Sequence, residues 1–231
     1  MTDQPSIFDI LGPIMIGPSS SHTAGASRIG FIARQLLNDK PVKAVVTLYN
    51  SFAKTHKGHG TDRAIIGGIL GFGPDDVRIR NSFEIARKEG LTWEFKIMGG
   101  INKFHSNTAR VLLEGSRGGK VEIAGASLGG GRIRIQEIEG FPVDFNAHTH
   151  TIIIIADDVP GSIRNISGAI AEKGINIANM YVSRSERLAN MVIEVDQAID
   201  KETLAKIESF TWVKFARRVE PTAEGSSRYD K

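Results

Sequence analysis

Hydrophobic positions in the first part of the chain follow helical spacing at first and short strand-like runs afterwards. A helix is predicted over 21–37, from apolar residues at positions 29, 32, 33, 36 and 37 that follow serines suited to N-capping. β-Branched residues predict a strand over 42–49, and helical patterns recur over 61–70 and 82–88. Apolar runs between glycine turns predict further strands over 93–98, 110–113, 120–124 and 132–137. This mixed order predicts an α+β domain.

The last third of the chain alternates more regularly between strand and helix patterns. Strands are predicted over 151–156, 175–182, 188–195 and 213–219, and helices over 162–173 and 201–208. The resulting order, βαββαβ, is that of the ferredoxin-like split βαβ fold. We therefore predict a first domain over 1–147 and a second over 148–222. Residues 223–231 lack any periodic pattern, which predicts a flexible tail.

Composition restricts the chemistry that the chain can perform alone. The 231 residues include no cysteine, which excludes disulfides, thiolate metal sites and an iron–sulfur cluster held by this chain alone. A net charge of +3 is too small to predict a nucleic-acid partner. The longest apolar run, over 152–156, is far shorter than the roughly 20 residues that span a bilayer. We expect a cytoplasmic protein with no membrane partner.

The densest polar segment is Gly-Pro-Ser-Ser-Ser-His-Thr-Ala-Gly at 17–25, where the first long helix begins. Free backbone N–H groups and the helix dipole favour an anion there, a carboxylate or a phosphate, and the hydroxyls add donors. The same field predicts a lowered pKa for His22, which would stay neutral and able to accept a proton. The alternative is an ordinary serine cap with His22 bonded to a neighbouring loop.

A second polar segment, His-Lys-Gly-His-Gly-Thr-Asp at 56–62, precedes the next predicted helix. His56 and His59 are three positions apart, so the segment is compatible with a two-histidine metal site or with a site in which Lys57 and His59 meet an anionic substrate. The glycines at 58 and 60 disrupt any helix there, which disfavours the metal. A glycine-rich turn capped by Thr61 is the plain alternative. A third group, His-Ser-Asn-Thr at 105–108, is compatible with either a turn or a site.

The segments 17–25 and 57–62, together with Asp9, Gly-Pro at 12–13 and the stretch 105–107, resemble the β chain of the two-subunit, iron–sulfur-dependent L-serine dehydratases (L-serine ammonia-lyases). The resemblance extends over essentially the whole chain. It implies a serine-dehydratase β domain of the allosteric-substrate-binding-like type, followed by a ferredoxin-like ACT domain. The overall fold class is then α+β.

The ACT-like features are two short segments in the last third. Asp158, Pro160 and Gly161 follow its first predicted strand, and Asn176 and Ile177 follow its first predicted helix. The resemblance implies that these five residues line a regulatory site for a small ligand, or for a monovalent cation such as potassium, at a subunit interface. The alternative is a domain that only associates with a second copy through side-by-side sheets.

The resemblance implies that L-serine is deaminated to pyruvate and ammonia, with an open iron of a [4Fe–4S] cluster assisting loss of the hydroxyl group. Since this chain has no thiolate, the cluster would belong to a cysteine-bearing α subunit that completes the pocket, and the β chain would be inactive alone. His22 and His59 correspond to proton-handling groups, with the base left open between them. The substrate would be bound by Ser20, Ser21, Thr23, Lys57 and Asn107, with His105 supporting Asn107.

The chain departs from the family that it resembles at one position of the segment 105–108. Ser106 stands where the relatives carry proline, which could loosen that turn without removing Asn107.

A non-catalytic amino-acid sensor would use the serine-rich segment to bind a ligand and the ACT domain to report it. A structural scaffold for the partner would depend more on residues 148–231 than on either histidine.

Overall fold

A computed structural model of the chain describes residues 15–100, 104–185 and 187–222. They form two compact units, the first extending to Glu139 and the second running from Gly140 to Thr222. This division lies ahead of the boundary at 147/148, which stays a prediction. Asp9, Gly12, Pro13 and the predicted tail over 223–231 lie outside the described residues.

The first unit combines helices with a mixed sheet. A π-helical turn, Ser20–Gly25, continues into α1 (Ala26–Leu37), and a 3₁₀ turn, Val77–Asn81, precedes the last helix. The other helices are α2 (Asn50–Thr55), α3 (Thr61–Ile69) and α4 (Ser82–Lys88). The strands are β1 (Pro41–Leu48), β2 (Thr92–Ile97), β3 (Thr108–Gly115), β4 (Lys120–Gly129) and β5 (Arg132–Ile138). They lie in the order β2-β1-β3-β4-β5, and only the β1–β2 pair among these is parallel.

The start of the first long helix differs from the prediction. The sequence pattern predicts one continuous α-helix over 21–37, whereas the residues up to Gly25 form a wider π-helical turn. The Ser19 side chain caps this turn by accepting the backbone N–H of His22 at 3.3 Å. The helix ends as predicted, since Asn38 adopts a left-handed conformation at φ 50°.

Helices α1 and α3 pack against each other, and α1 also covers strands β3 and β4. Their apolar faces are fully buried, including Ile29 and Ile32 of α1 and Ile65 of α3. Two glycines permit the close helix contact. A Cβ at Gly30 would lie 2.3 Å from the Ile65 carbonyl oxygen, and one at Gly68 would lie 1.9 Å from the carbonyl oxygen of Ser27. This packing holds the N-terminal end of α1 beside the loop that precedes α3.

The second unit confirms the predicted βαββαβ order, preceded by one strand that the pattern did not predict. The elements are β6 (Phe141–Phe145), β7 (His150–Asp157), α5 (Ser162–Ala171), β8 (Ile177–Ser185), β9 (Leu188–Val195), α6 (Lys201–Glu208) and β10 (Val213–Val219). The four-stranded sheet has the order β10-β7-β9-β8 and is antiparallel throughout. Its core contains Ile152, Ile154, Ile166, Ile170 and Ile193. Strand β8 lies at one edge of this sheet.

No helix within residues 15–100, 104–185 and 187–222 is both long enough and apolar enough to cross a bilayer.

Candidate active site

His22 lies in the π-helical turn, and hydroxyl groups surround its ring. The side chain is buried, with 8% of its surface exposed. Its Nδ1 atom lies 3.1 Å from the Ser21 hydroxyl and 3.3 Å from that of Ser19, while Nε2 lies 3.4 Å from the Ser51 hydroxyl. Because a hydroxyl can donate or accept, both ring nitrogens keep a partner in either neutral tautomer.

His59 places a second imidazole against the first. The ring centroids of His22 and His59 are 4.7 Å apart, and the ring planes meet at 73°, an edge-to-face arrangement. Burial lowers the pKa of His22, and the charge of His59 lowers it further. The predicted direction is therefore confirmed, although burial and the second imidazole cause the shift. His22 is kept neutral near pH 7 and can accept a proton.

The same turn approaches the loop before α3 and the β4–β5 turn. The Thr23 hydroxyl donates to the carbonyl oxygen of His59 at 3.5 Å, and Ser20 Oγ accepts the backbone N–H of Gly130 at 3.2 Å. Gly25 lies so close to β4 that a Cβ there would stand 2.0 Å from Ser127 Oγ. These contacts fix the serine-rich turn on two sides and leave the O–H hydrogen of Ser20, which only accepts here, able to serve a ligand.

Asn107 is tied through its backbone to Ser127, since its carbonyl oxygen accepts the Ser127 backbone N–H at 2.9 Å. Its Oδ1 atom is buried and has no hydrogen-bond partner in the described residues, so a donor is missing there. Its backbone N–H donates to His105 Nδ1 at 3.2 Å, the support expected from His105. The carbonyl of Ser106 accepts the backbone N–H of Ser51 at 2.7 Å, so the turn is anchored to α2 although proline is absent.

Lys57 and His56 lie apart from this cluster. Lys57 is exposed, and no contact places it against His22 or Asn107. The Nδ1–H of His56 donates to the carbonyl oxygen of Ala53 at 3.0 Å, whereas the ring of His59 faces His22. The structure thus brings the imidazoles of His22 and His59 together with the hydroxyl residues 20, 21 and 23, whereas Asn107 is linked to them only through the backbone of Ser127.

Two further residues of the cluster were missed by the sequence analysis. Ser51 contacts the imidazole of His22, and Ser127 packs against Gly25. Ser51 belongs to α2, a six-residue helix that directly follows a strand and has no recognisable hydrophobic period. Ser127 lies in a strand whose predicted range ended at 124. The sequence holds no local signal that would join either residue to the segment 17–25.

The five predicted regulatory residues fall at opposite ends of the second unit's sheet. Asp158 follows the end of β7, and its carboxylate lies 3.4 Å from Arg184 Nε, near the end of β8. Asn176 precedes the start of β8, where its side-chain amide donates to Asp196 at 2.9 Å. Antiparallel pairing through β9 places the start of β8 beside the start of β7, far from Asp158. Within one chain, Asp158, Pro160 and Gly161 therefore do not meet Asn176 and Ile177.

An open pocket of about 460 Å³ lies beside Asn176 and Ile177. Arg164, Ser167 and Gly168 of α5 line its other side. Asn176 therefore borders space that a small molecule could fill, with a guanidinium and a hydroxyl available for polar contacts.

Comparison with known proteins gives matches to both units. A family model described as serine dehydratase beta chain matches residues 6–107, and an ACT domain model matches residues 150–210. A probable L-serine dehydratase beta chain of Bacillus subtilis is 44% identical over 204 residues, covering 87% of this chain and 92% of that protein. The L-serine dehydratase beta chain of Peptoniphilus asaccharolyticus is 36% identical over 220 residues, covering 93% of this chain and 99% of that protein.

A shorter match links the chain to a larger protein. L-serine dehydratase 2 of Escherichia coli is 50% identical over 80 residues, which cover 32% of this chain and 17% of that protein.

Proposed function

Because the chain belongs to the family of L-serine dehydratase beta chains, we propose that it supplies the proton-handling side of a cytoplasmic, two-chain enzyme that converts L-serine to pyruvate and ammonia. The observation that carries this proposal is the buried His22 ring, held by three hydroxyls and packed against His59. Removal of the substrate's α-proton requires a neutral base, and burial keeps His22 in that form.

The two imidazoles differ in exposure, and this difference suggests their roles. His22 is buried and faces hydroxyls on both ring nitrogens, whereas His59 is exposed. We assign proton abstraction from Cα to His22. His59, which is open to solvent, would donate a proton to the departing hydroxyl group so that it leaves as water, and the proton taken up by His22 would return to His59 through solvent. Because Ser51 contacts Nε2, the accepting atom would be Nδ1, which the hydroxyls of Ser19 and Ser21 would free by turning toward the substrate.

Hydroxyls and an amide are available to bind serine. The hydroxyls of Ser20, Ser21 and Thr23 surround the beginning of the π-helical turn, which suits a carboxylate. The unpartnered Oδ1 of Asn107 is an acceptor, and the ammonium group of serine would provide the donor that it lacks. Lys57 is exposed and would contact the substrate carboxylate only if the partner chain or a loop movement brings the two together.

The residues of this chain do not fit an iron–sulfur cluster. The sequence contains no cysteine, and the described residues include no group of three or more histidine and carboxylate side chains placed to hold a metal ion. We propose that a [4Fe–4S] cluster, where the enzyme uses one, is held by a cysteine-bearing α chain. The beta-chain names of the relatives support the existence of a partner chain, and its cysteines are part of the proposal.

Reconstitution tests this proposal. We expect the purified chain to form no pyruvate from L-serine alone, and the anaerobically purified, cysteine-bearing α chain to form little. Mixing the two should restore activity that saturates at a fixed ratio of the chains. Pyruvate can be followed by coupling it to a dehydrogenase that consumes NADH. Turnover of serine by the isolated chain would contradict the proposal.

We also propose that the second unit binds a small amino acid or a potassium ion between two copies of the chain. Strand β8 is an edge strand, and antiparallel pairing of two β8 edges would place the start of one beside the end of the other. Asn176 and Ile177 of one copy would then approach Asp158, Pro160 and Gly161 of its partner. This pairing would join the two groups of residues that a single chain keeps apart.

Calorimetric titration of the full chain with single amino acids and with potassium chloride tests the regulatory site. We expect at least one of these ligands to bind, and Asn176→Ala to weaken its binding at least tenfold. Asn165→Ala, which changes an exposed asparagine of α5, is the matched control and should bind as the unaltered chain does. Absence of binding across the panel would leave only a role in self-association.

A further inference from the structure

Ser51 contacts His22 at the ring nitrogen opposite to the one that Ser19 and Ser21 approach. Its hydroxyl lies 3.4 Å from His22 Nε2, whereas the hydroxyls of Ser19 and Ser21 both approach Nδ1. Ser51 therefore differs from the other two hydroxyl residues, since among the described contacts it alone serves the nitrogen turned away from the π-helical turn.

The position of Ser51 is fixed by the loop that carries Asn107. The Ser51 backbone N–H donates to the Ser106 carbonyl oxygen at 2.7 Å. The side-chain amide of Asn50 donates to the carbonyl oxygen of Phe104 at 3.0 Å. Asn50 itself has a positive φ of 49°, which turns the chain sharply at the start of α2. The helix start and the loop are thus tied together, and the serine hydroxyl is held against the imidazole.

We propose that Ser51 is a positioning residue for His22, whose hydroxyl holds Nε2 so that the ring keeps one orientation as its proton is gained and lost. This inference rests on the proposed function. The hydroxyl can accept from Nε2–H and can donate to the bare Nε2 lone pair, so neither protonation state leaves a buried nitrogen without a partner. Ser19 and Ser21 approach Nδ1, the atom left to accept the substrate proton.

Loss of the Ser51 hydroxyl has a specific consequence for the tautomer. In Ser51→Ala, a proton on Nε2 would be buried without an acceptor, which is unfavourable. A proton on Nδ1 would still have two hydroxyl partners. The variant should therefore shift the neutral ring toward the Nδ1–H tautomer and allow the ring to rotate within its site.

Nuclear magnetic resonance of the full chain labelled with ¹⁵N-histidine measures this shift directly. The His22 signals are identified by their absence in His22→Ala, and the ¹⁵N shifts of the two ring nitrogens report the tautomer. We expect Ser51→Ala to raise the Nδ1–H fraction and Ser51→Thr, which retains a hydroxyl, to restore the original fraction. In the reconstituted enzyme, kcat should fall about tenfold in Ser51→Ala with KM changed less than twofold, consistent with one lost hydrogen bond.

The matched control is Thr55→Val, which removes a hydroxyl that donates within the same helix to the carbonyl of Ser51. It should leave the tautomer and kcat unchanged. An unaltered tautomer in Ser51→Ala, or a shifted tautomer with unaltered kcat, would overturn the proposal. If Ser51→Ala does not fold, Ser51→Cys gives the same comparison. The resonance measurement needs no partner chain, so its failure is distinguishable from a failure of the proposed function.

Discussion

Replacement of His22 by alanine is expected to lower kcat for pyruvate formation about 100- to 10,000-fold in the reconstituted enzyme, the range typical of a lost acid–base group. The imidazole is buried, kept neutral and turned toward a second imidazole, and no other described side chain in contact with its ring is a titratable base. His59→Ala should lower kcat as well, by a smaller factor, because water can reach its position and replace part of its function. Steady-state pyruvate formation at saturating L-serine measures both effects.

The matched control for both substitutions is His56→Ala. This histidine lies in the same loop as His59, but its ring donates to the carbonyl of Ala53. We expect its removal to leave kcat within a factor of about two. If both site variants keep full activity in the complex, the catalytic assignment is wrong and the amino-acid sensor becomes the better explanation. A loss of activity on deleting residues 148–231 that exceeds the effect of either histidine would favour the scaffold.

Gly68→Ala is expected to destabilise the first unit by about 3 kcal/mol or more, because a buried overlap cannot be relieved without moving a helix. The added Cβ would stand 1.9 Å from the Ser27 carbonyl oxygen and 2.7 Å from the Phe31 backbone nitrogen. Both obstacles are backbone atoms of α1, so no side-chain rotation removes the overlap. The helices would have to separate, which would expose fully buried side chains such as Ile65.

Urea denaturation measures this effect if the two units are distinguished. The chain has two tryptophans, Trp93 in β2 of the first unit and Trp212 in the second. In a Trp212→Phe background, the fluorescence of Trp93 reports unfolding of the first unit alone. Gly168→Ala is the matched control, since Gly168 also lies in a helix but has open space where its Cβ would be. Because Gly168 belongs to the second unit, its effect is measured from the fluorescence of Trp212 in a Trp93→Phe background. Gly168→Ala should leave stability unchanged or raise it by roughly 0.5–1 kcal/mol. Equal stability of Gly68→Ala and the parent would contradict the packing described for α1 and α3.

The sequence predicted those helices and strands that are determined by local hydrophobic patterns and by the residues at their ends. The helix now numbered α1 has a regular apolar face, and Asn38 ends it in the left-handed conformation suited to that position. The βαββαβ order of the second unit followed from alternating strand and helix patterns. Helix α2 escaped prediction because it has only six residues and is stabilised by contacts with the distant loop over 104–106.

The sequence predicted the separate segments of the candidate site, but it did not predict which of their side chains come into contact. The segments 17–25 and 56–62 attracted attention because each places hydroxyls or histidines at the start of a helix. The contact between His22 and His59 depends on the packing of α1 against α3. Gly30 and Gly68 allow this close packing, and they lie far apart in the sequence. Ser51 is brought to the same imidazole by a separate helix. Contacts between segments that are far apart in the sequence produce no local residue pattern, so they could not be predicted.

The π-helical turn over Ser20–Gly25 makes the direction of the His22 imidazole depend on the number of residues in that segment. An ordinary helix has 3.6 residues per turn. Each residue removed or inserted therefore rotates the residues on its N-terminal side by about 100° around the helix axis. A deletion that converted this wide turn into a regular one would leave every side chain of the segment chemically intact. It would nevertheless carry the imidazole out of reach of its neighbour on the adjoining loop. Length in this segment is therefore as much a determinant of the site as the identity of its residues.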